Sequence, residues 1–187
     1  MKNETIISSI ILIIICIIII KYIYKPGKYI KSQIDNKEYF VEDNEDKQLS
    51  ADTLAQIRKN INLLVQQIKN NPKQEYKEYI DELDKKIKNI DISENTTNIY
   101  TSYSINKQEL VFCLKSKVNH KIHNMNLLMY VVIHEVAHLM CPEYGHGQLF
   151  KEIFSYLLDN AQIVGIYTPI DFQNEPKEYC GMNINYG

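Results

Sequence analysis

The run LLMYVVIHEVAHLM, from Leu127 to Met140, narrows the folds open to this chain more than any other segment. Leu127, Leu128, Met129, Val131, Val132 and Ile133 are apolar almost all round a helix, so the helix belongs inside a core rather than on a surface. Yet the same helix carries His134, Glu135 and His138. Polar groups taken into a core need partners. Pro142 stops the helix, EYGHG turns the chain, and Gln148 opens a second helix with Phe150, Ile153, Phe154, Leu157 and Leu158 on one face.

Residues four apart in a helix lie about 40° apart around the axis and about 6 Å along it, so His134 and His138 project side by side. Their imidazoles can reach one Zn²⁺ at about 2.0–2.1 Å. Glu135, about 100° further round, is placed to act as a general base beside such an ion rather than to bind it. The third ligand is expected to be His146, set between Gly145 and Gly147 where the chain swings back. Glu143, Glu152, His120 and His123 are rival ligands, and Cys141 reads as a packed thiol. Structural zinc sites close four positions with protein groups, whereas three histidines with an adjacent glutamate leave one open.

At the other end, IISSIILIIICIIII runs from Ile6 to Ile20 without a charge, and KYIY extends the apolar character to Tyr24. This segment reads as a single uncleaved membrane anchor, since no small-residue cleavage site follows it. Lys21, Lys25, Lys28 and Lys31 outnumber Lys2 before the span, and the positive-inside rule then places the remainder in the cytoplasm. Residues 32–187 carry 16 basic and 22 acidic side chains, which argues against nucleic acid as a partner. Cys113, Cys141 and Cys180 are an odd set that cannot all pair within one chain, in line with a reducing compartment. The sequon Asn95-Thr96-Thr97 points the other way.

The chain of 187 residues thus divides into an anchor and basic flank (1–31), an acidic tether (32–49) and one domain (50–187). Within the domain, Leu54, Ile57, Ile61, Leu64, Val65 and Ile68 mark a helix from Ser50 to Pro72. Tyr76, Tyr79, Ile80, Leu83 and Ile87 mark a second, over about 74–89. NIYTSYSI and ELVFCLK, separated by Asn106-Lys107-Gln108, predict a β-hairpin whose second strand is the more buried.

HEVAH followed by GHGQLF resembles the HExxH…GHGxxF pattern of the SprT-like and WLM zinc metallopeptidases. Residues from about 100 to 185 are similar to small WLM-type metallopeptidases of large DNA viruses, often membrane-anchored. The resemblance implies an α+β, minimal zincin-like domain behind an N-terminal transmembrane helix, with an active-site helix, flanking helices and a small sheet. The strand Leu110–Leu114 would be the edge strand beside the cleft. It implies zinc held by His134, His138 and His146, Glu135 as the base, a protein or peptide substrate, and a single-pass protein whose catalytic domain faces the cytoplasm or the virion interior. The acidic domain, with no zinc finger or basic tail, departs from the DNA-repair members. Tyr179, Tyr144 and Tyr167 are candidates for stabilising an oxyanion, and Met182 reads as a core residue or as one lying beneath the metal. The competing reading is a catalytically inactive zinc-binding membrane scaffold or interaction module.

Overall fold

A computed structural model of the protein describes residues 2–23, 26–97 and 101–185. After a helix α1 (Lys2–Ile23) come strands β1 (Gly27–Lys31) and β2 (Glu38–Glu42), then the long helix α2 (Lys47–Asn70). A 3₁₀ turn (Gln74–Tyr76) leads into α3 (Lys77–Lys88), followed by β3 (Asp91–Glu94), β4 (Tyr103–Ile105) and β5 (Glu109–Phe112). Helices α4 (Met125–Met140) and α5 (Gln148–Ile163) precede a last pair of strands, β6 (Lys177–Tyr179) and β7 (Met182–Ile184). The architecture is α+β.

Helix α2 is the hub. Its expected stripe, Leu54, Ile57, Ile61, Leu64, Val65 and Ile68, is buried, and it touches α3, α4, α5 and the strands β1 to β3. Asp46 rather than Ser50 occupies its N-cap, and Ser50 is buried one turn inside. Removing a stripe of this kind from water is the main term holding such a layer together, at roughly 1.5–3 kcal/mol for each large aliphatic side chain. Helix α3 lays Ile80, Leu83 and Ile87 on the same core.

The main sheet has the order β3-β5-β4. β5 pairs in parallel with β3 (Ile92 opposite Leu110) and antiparallel with β4 (Tyr103 opposite Val111). The expected hairpin is therefore present over Tyr103–Ile105 and Glu109–Phe112, with residues 98–100 of its expected first strand outside the described residues, and it turns through Asn106 and Lys107, both left-handed at φ 49° and 58°. That conformation suits the tight turn between twisted strands. Its second strand is indeed the buried one, but this overturns the edge assignment. Leu110 and Val111 lie in the middle of the sheet, paired with β3 on one side and β4 on the other, and the outer strands are β3 and β4.

Two further expectations are corrected here. Among the described residues no helix is long and apolar enough to cross a membrane. The charge-free run of α1, Ile6 to Ile20, rises only about 22 Å at 1.5 Å per residue, against a hydrocarbon core of about 30 Å. Lys28 and Lys31, read as a basic flank, are strand residues of β1, paired with Val41 and Glu38 of β2. The N-terminal transmembrane helix, the single-pass placement and the orientation drawn from flanking lysines fall together. The tether over 32–49 is also replaced by structure. It contains β2, whose Tyr39 and Val41 are buried in the core, and the start of α2.

Candidate metal centre

Helix α4 begins at Asn124, whose side-chain oxygen accepts the Leu127 N–H at 2.9 Å and satisfies one of the free donors of the first turn. Leu127, Leu128, Met129, Val132, Ile133, Val136, Ala137 and Leu139 then fix the helix in the core. That leaves the face bearing His134 and His138 turned to the rim. The chain leaves the helix at Cys141, which is fully buried, and reverses through Gly145 at φ +80°. A Cβ at Gly145 would meet nothing within 4 Å, so the left-handed backbone alone calls for glycine there. Gly147 is the N-cap of α5, and His146 stands between the two helices.

His134, His138 and His146 converge. Their Nε2 atoms lie 3.2 Å (134–138), 3.1 Å (138–146) and 3.0 Å (134–146) apart. Nitrogens bonded at about 2.0–2.1 Å to one tetrahedral ion would stand roughly 3.3 Å from one another. The observed triangle fits that within a few tenths of an ångström. Three ring nitrogens in mutual contact cannot all be satisfied by donating to one another, because a neutral imidazole has one N–H and one lone pair. A cation shared by three lone pairs resolves the conflict. These three side chains can hold a metal ion, and among the described residues no fourth His, Cys, Asp or Glu joins the group.

Burial and the neighbouring rings prepare this set. Desolvation, with the adjacent imidazoles adding to it, pushes His134 and His138 down to about 4, so both are neutral near pH 7, the form that ligates. Phe150, on the first turn of α5, packs against all three rings, with centroids at 5.1, 4.3 and 4.8 Å from His134, His138 and His146. Phe154 adds a second edge contact to His134 at 5.3 Å. The sequence placed Phe150 in an apolar stripe and at the end of the GHGQLF motif, without saying what it touches. Its role as a platform for the imidazoles follows from the packing of α5 against α4.

Glu135 is 7% exposed and burial raises its carboxyl to about 7. Together with His134 it lines a cavity of about 310 Å³ whose other walls include Ser102, Tyr130, Tyr179 and Met182. On the far side of the histidines, His138 lines a second cavity of about 580 Å³ with Ser104, Asn106, Lys107 and Tyr144. The segment 101–107, with β4 at its centre, therefore borders both.

The remaining candidates separate cleanly. Glu152 accepts from Gln148 at 2.8 Å and Glu143 lines the second cavity, neither joining the triangle. His120 lines a different cavity, and His123 packs on Tyr179 at 5.1 Å. Tyr144 is 95% exposed, and Tyr167 belongs to an aromatic cluster with Tyr130. Tyr179 alone of the three tyrosines shares a cavity with Glu135, but its hydroxyl donates to the Cys113 carbonyl at 2.8 Å. Met182 is half exposed and lines that cavity instead of filling the core. Of the odd cysteine set, Cys113 and Cys180 form a disulfide and Cys141 is free and buried.

The chain is 38% identical to the uncharacterized protein R325 of Acanthamoeba polyphaga mimivirus over 188 aligned positions, 96% of this chain and 95% of the relative. It belongs to the family of that protein. Shorter matches of 83 positions link it to the uncharacterized protein 136R of invertebrate iridescent virus 6, at 39% identity, and to 042R of invertebrate iridescent virus 3, at 36%. They cover 42% and 43% of this chain, and 44% and 50% of the respective relatives. No family model and no solved structure matches.

Proposed function

We propose that the protein is a zinc-dependent peptidase in which His134, His138 and His146 hold the metal and Glu135 is the general base. The observation that carries this reading is the three-nitrogen triangle with an open side and a buried carboxyl on the same helical turn. A zinc ion bound there supplies Lewis acidity, which brings water towards a pKa of about 7 and polarises a carbonyl. Glu135 takes a proton from the attacking water and delivers it to the leaving nitrogen. A carboxyl held near 7 by burial is suited to both transfers, although a nearby dication will draw its pKa down. β4 is an outer strand of the sheet, and an extended peptide laid alongside it would reach the cavities on either side of the histidines.

Zinc is favoured over other divalent ions because three imidazoles at near-tetrahedral spacing match its preference, whereas calcium and magnesium take oxygen ligands. The test is metal content and hydrolysis of a quenched peptide library by the full chain beside its Glu135→Gln variant. One zinc per chain in both, with hydrolysis only in the parent, is the expected outcome. Hydrolysis that survives in a pure Glu135→Gln preparation would overturn the assignment of the base.

A further inference from the structure

Strands β6 and β7 pair only with each other among the described residues. Their turn consists of Cys180 and Gly181, left-handed at φ 53° and 87°, the geometry of a two-residue hairpin loop. Nearly everything that ties this hairpin to the fold converges on that turn. A disulfide joins Cys180 to Cys113 at the end of β5, closing a separation of 67 residues. Tyr179 donates to the Cys113 carbonyl, and the Ser102 hydroxyl, which accepts the Cys113 N–H at 3.1 Å, lies 2.6 Å from the Tyr179 oxygen. The Cys180 N–H donates to His123 Nε2 at 3.3 Å, and within the hairpin itself Glu178 accepts from the Gly181 N–H at 2.6 Å. Away from this pinned end, Met182, Asn183 and Ile184 line the same cavity as His134 and Glu135.

We propose that the Cys113–Cys180 disulfide is a redox latch. Oxidised, it fixes the β6–β7 hairpin as one wall of the cavity beside His134 and Glu135; reduced, it frees that wall while the core and the three histidines stay in place. The separation of parts supports a latch rather than a staple of the whole fold. The histidines sit on α4 and the loop before α5, and neither these elements nor the central helix α2 carries either cysteine, although Cys180 and Tyr179 are themselves buried against the core. Cys113 also lines a separate cavity of about 550 Å³, giving a reductant an approach that does not pass through the metal centre.

The chemistry is thiol–disulfide exchange with a cellular dithiol. Its thiolate attacks Cys113 Sγ, forming a mixed disulfide and expelling the Cys180 thiolate, which takes up a proton. The second thiol of the reductant then attacks its partner sulfur, leaves oxidised as a disulfide, and releases Cys113 to be protonated in turn. Two electrons and two protons pass to the protein. What the opened cavity admits rests on the peptidase reading, but the motion does not.

The test is hydrogen exchange on the zinc-loaded full chain, with and without a phosphine reductant, beside the Cys113→Ser/Cys180→Ser double variant. A phosphine replaces a dithiol here because dithiols compete for zinc. Amides of Lys177–Ile184 are expected to exchange at least tenfold faster in the reduced chain and in the double variant. Those of α2 and α4, and the zinc content, should not change. Unchanged exchange in a chain whose two thiols have become alkylatable would overturn the latch. So would loss of protection across α2 and α4, which would make the bond a staple, or alkylation of Cys113 and Cys180, located by peptide mapping apart from the free Cys16 and Cys141, before any reductant is added. Exchange is read on the backbone, so the result stands whether or not either form hydrolyses peptide; where hydrolysis is measured, kcat/KM should differ between the two forms.

Discussion

Replacing His146 with alanine isolates the metal centre from the fold, because the side chain is exposed and sits on a loop between two packed helices. Two losses follow from its position. The first is one of three nitrogens, leaving His134 and His138 as a two-point chelate 3.2 Å apart. Apparent binding free energies of about 10–16 kcal/mol for four-ligand zinc sites give roughly 2.5–4 kcal/mol per ligand, or about two to three orders of magnitude in Kd. The second is the edge contact with Phe150 at 4.8 Å, worth on the order of 1 kcal/mol and felt by the fold more than by the metal. Competition against a chromophoric zinc chelator at neutral pH measures the first, and a urea melt of the metal-free chain measures the second. The expected result is a Kd weakened by at least a hundredfold with an unfolding midpoint close to the parent's. Glu143→Ala, a carboxylate on the same loop outside the triangle, should leave zinc affinity within about threefold of the parent. A His146→Ala chain that keeps parental affinity would refute the triangle as the metal site.

Other perturbations act on neighbouring parts of the same structure. Glu135→Gln should keep zinc and lower hydrolysis by about 10²–10⁴-fold, measured as kcat/KM on a peptide found by library screening. The same variant carries a pH signature without metal. Because burial holds the folded carboxyl near 7, above its unfolded value, the native protein binds the extra proton. The stability so gained is complete below the unfolded pKa and is lost as pH rises through about 7. Relative to the parent, Glu135→Gln should therefore stabilise the chelator-treated chain at pH 8 by on the order of 3 kcal/mol and much less at pH 5, and equal effects in urea melts at both pH values would contradict the burial argument. Phe150→Leu should keep the fold but weaken zinc roughly tenfold by loosening three rings at once, as read in the chelator competition. Asn95 should stay unmodified by intact mass even in a secretory host, because its amide donates to the Thr101 carbonyl and its oxygen accepts from Thr97.

Much of this was legible in the sequence where a pattern is local. The stripes of α2 and α3, the hairpin turning at Asn106 and the helix–turn–helix around His146 all follow from periodicity or turn chemistry within a few residues. The losses have a common cause, which is pairing between distant segments. β3 carries Ser93 and Glu94 in buried positions, so no apolar alternation announces it; its place depends on parallel pairing with β5 across the intervening β4. The edge position for β5, which the family resemblance implied, fails on the same parallel pairing. β2 hides Tyr39 and Val41 inside a polar stretch where only alternate residues are buried. The Cys113–Cys180 pair could not be chosen from three cysteines by spacing. The apolar run of α1 misled because composition alone does not separate a spanning segment from a shorter one.

The closeness of the metal ligands along the chain bears on the order of assembly. His134 and His146 are twelve residues apart, so a metal can be captured as soon as α4 and the first turn of α5 have left the ribosome. The cavity wall carried by Met182 and Ile184 is synthesised later, and the sulfur that fastens it must find Cys113 across 67 residues. The ligand triangle is thus closed by local contacts and the wall beside it by a distant one, so the ion's ligands can assemble without waiting for the hairpin that covers them.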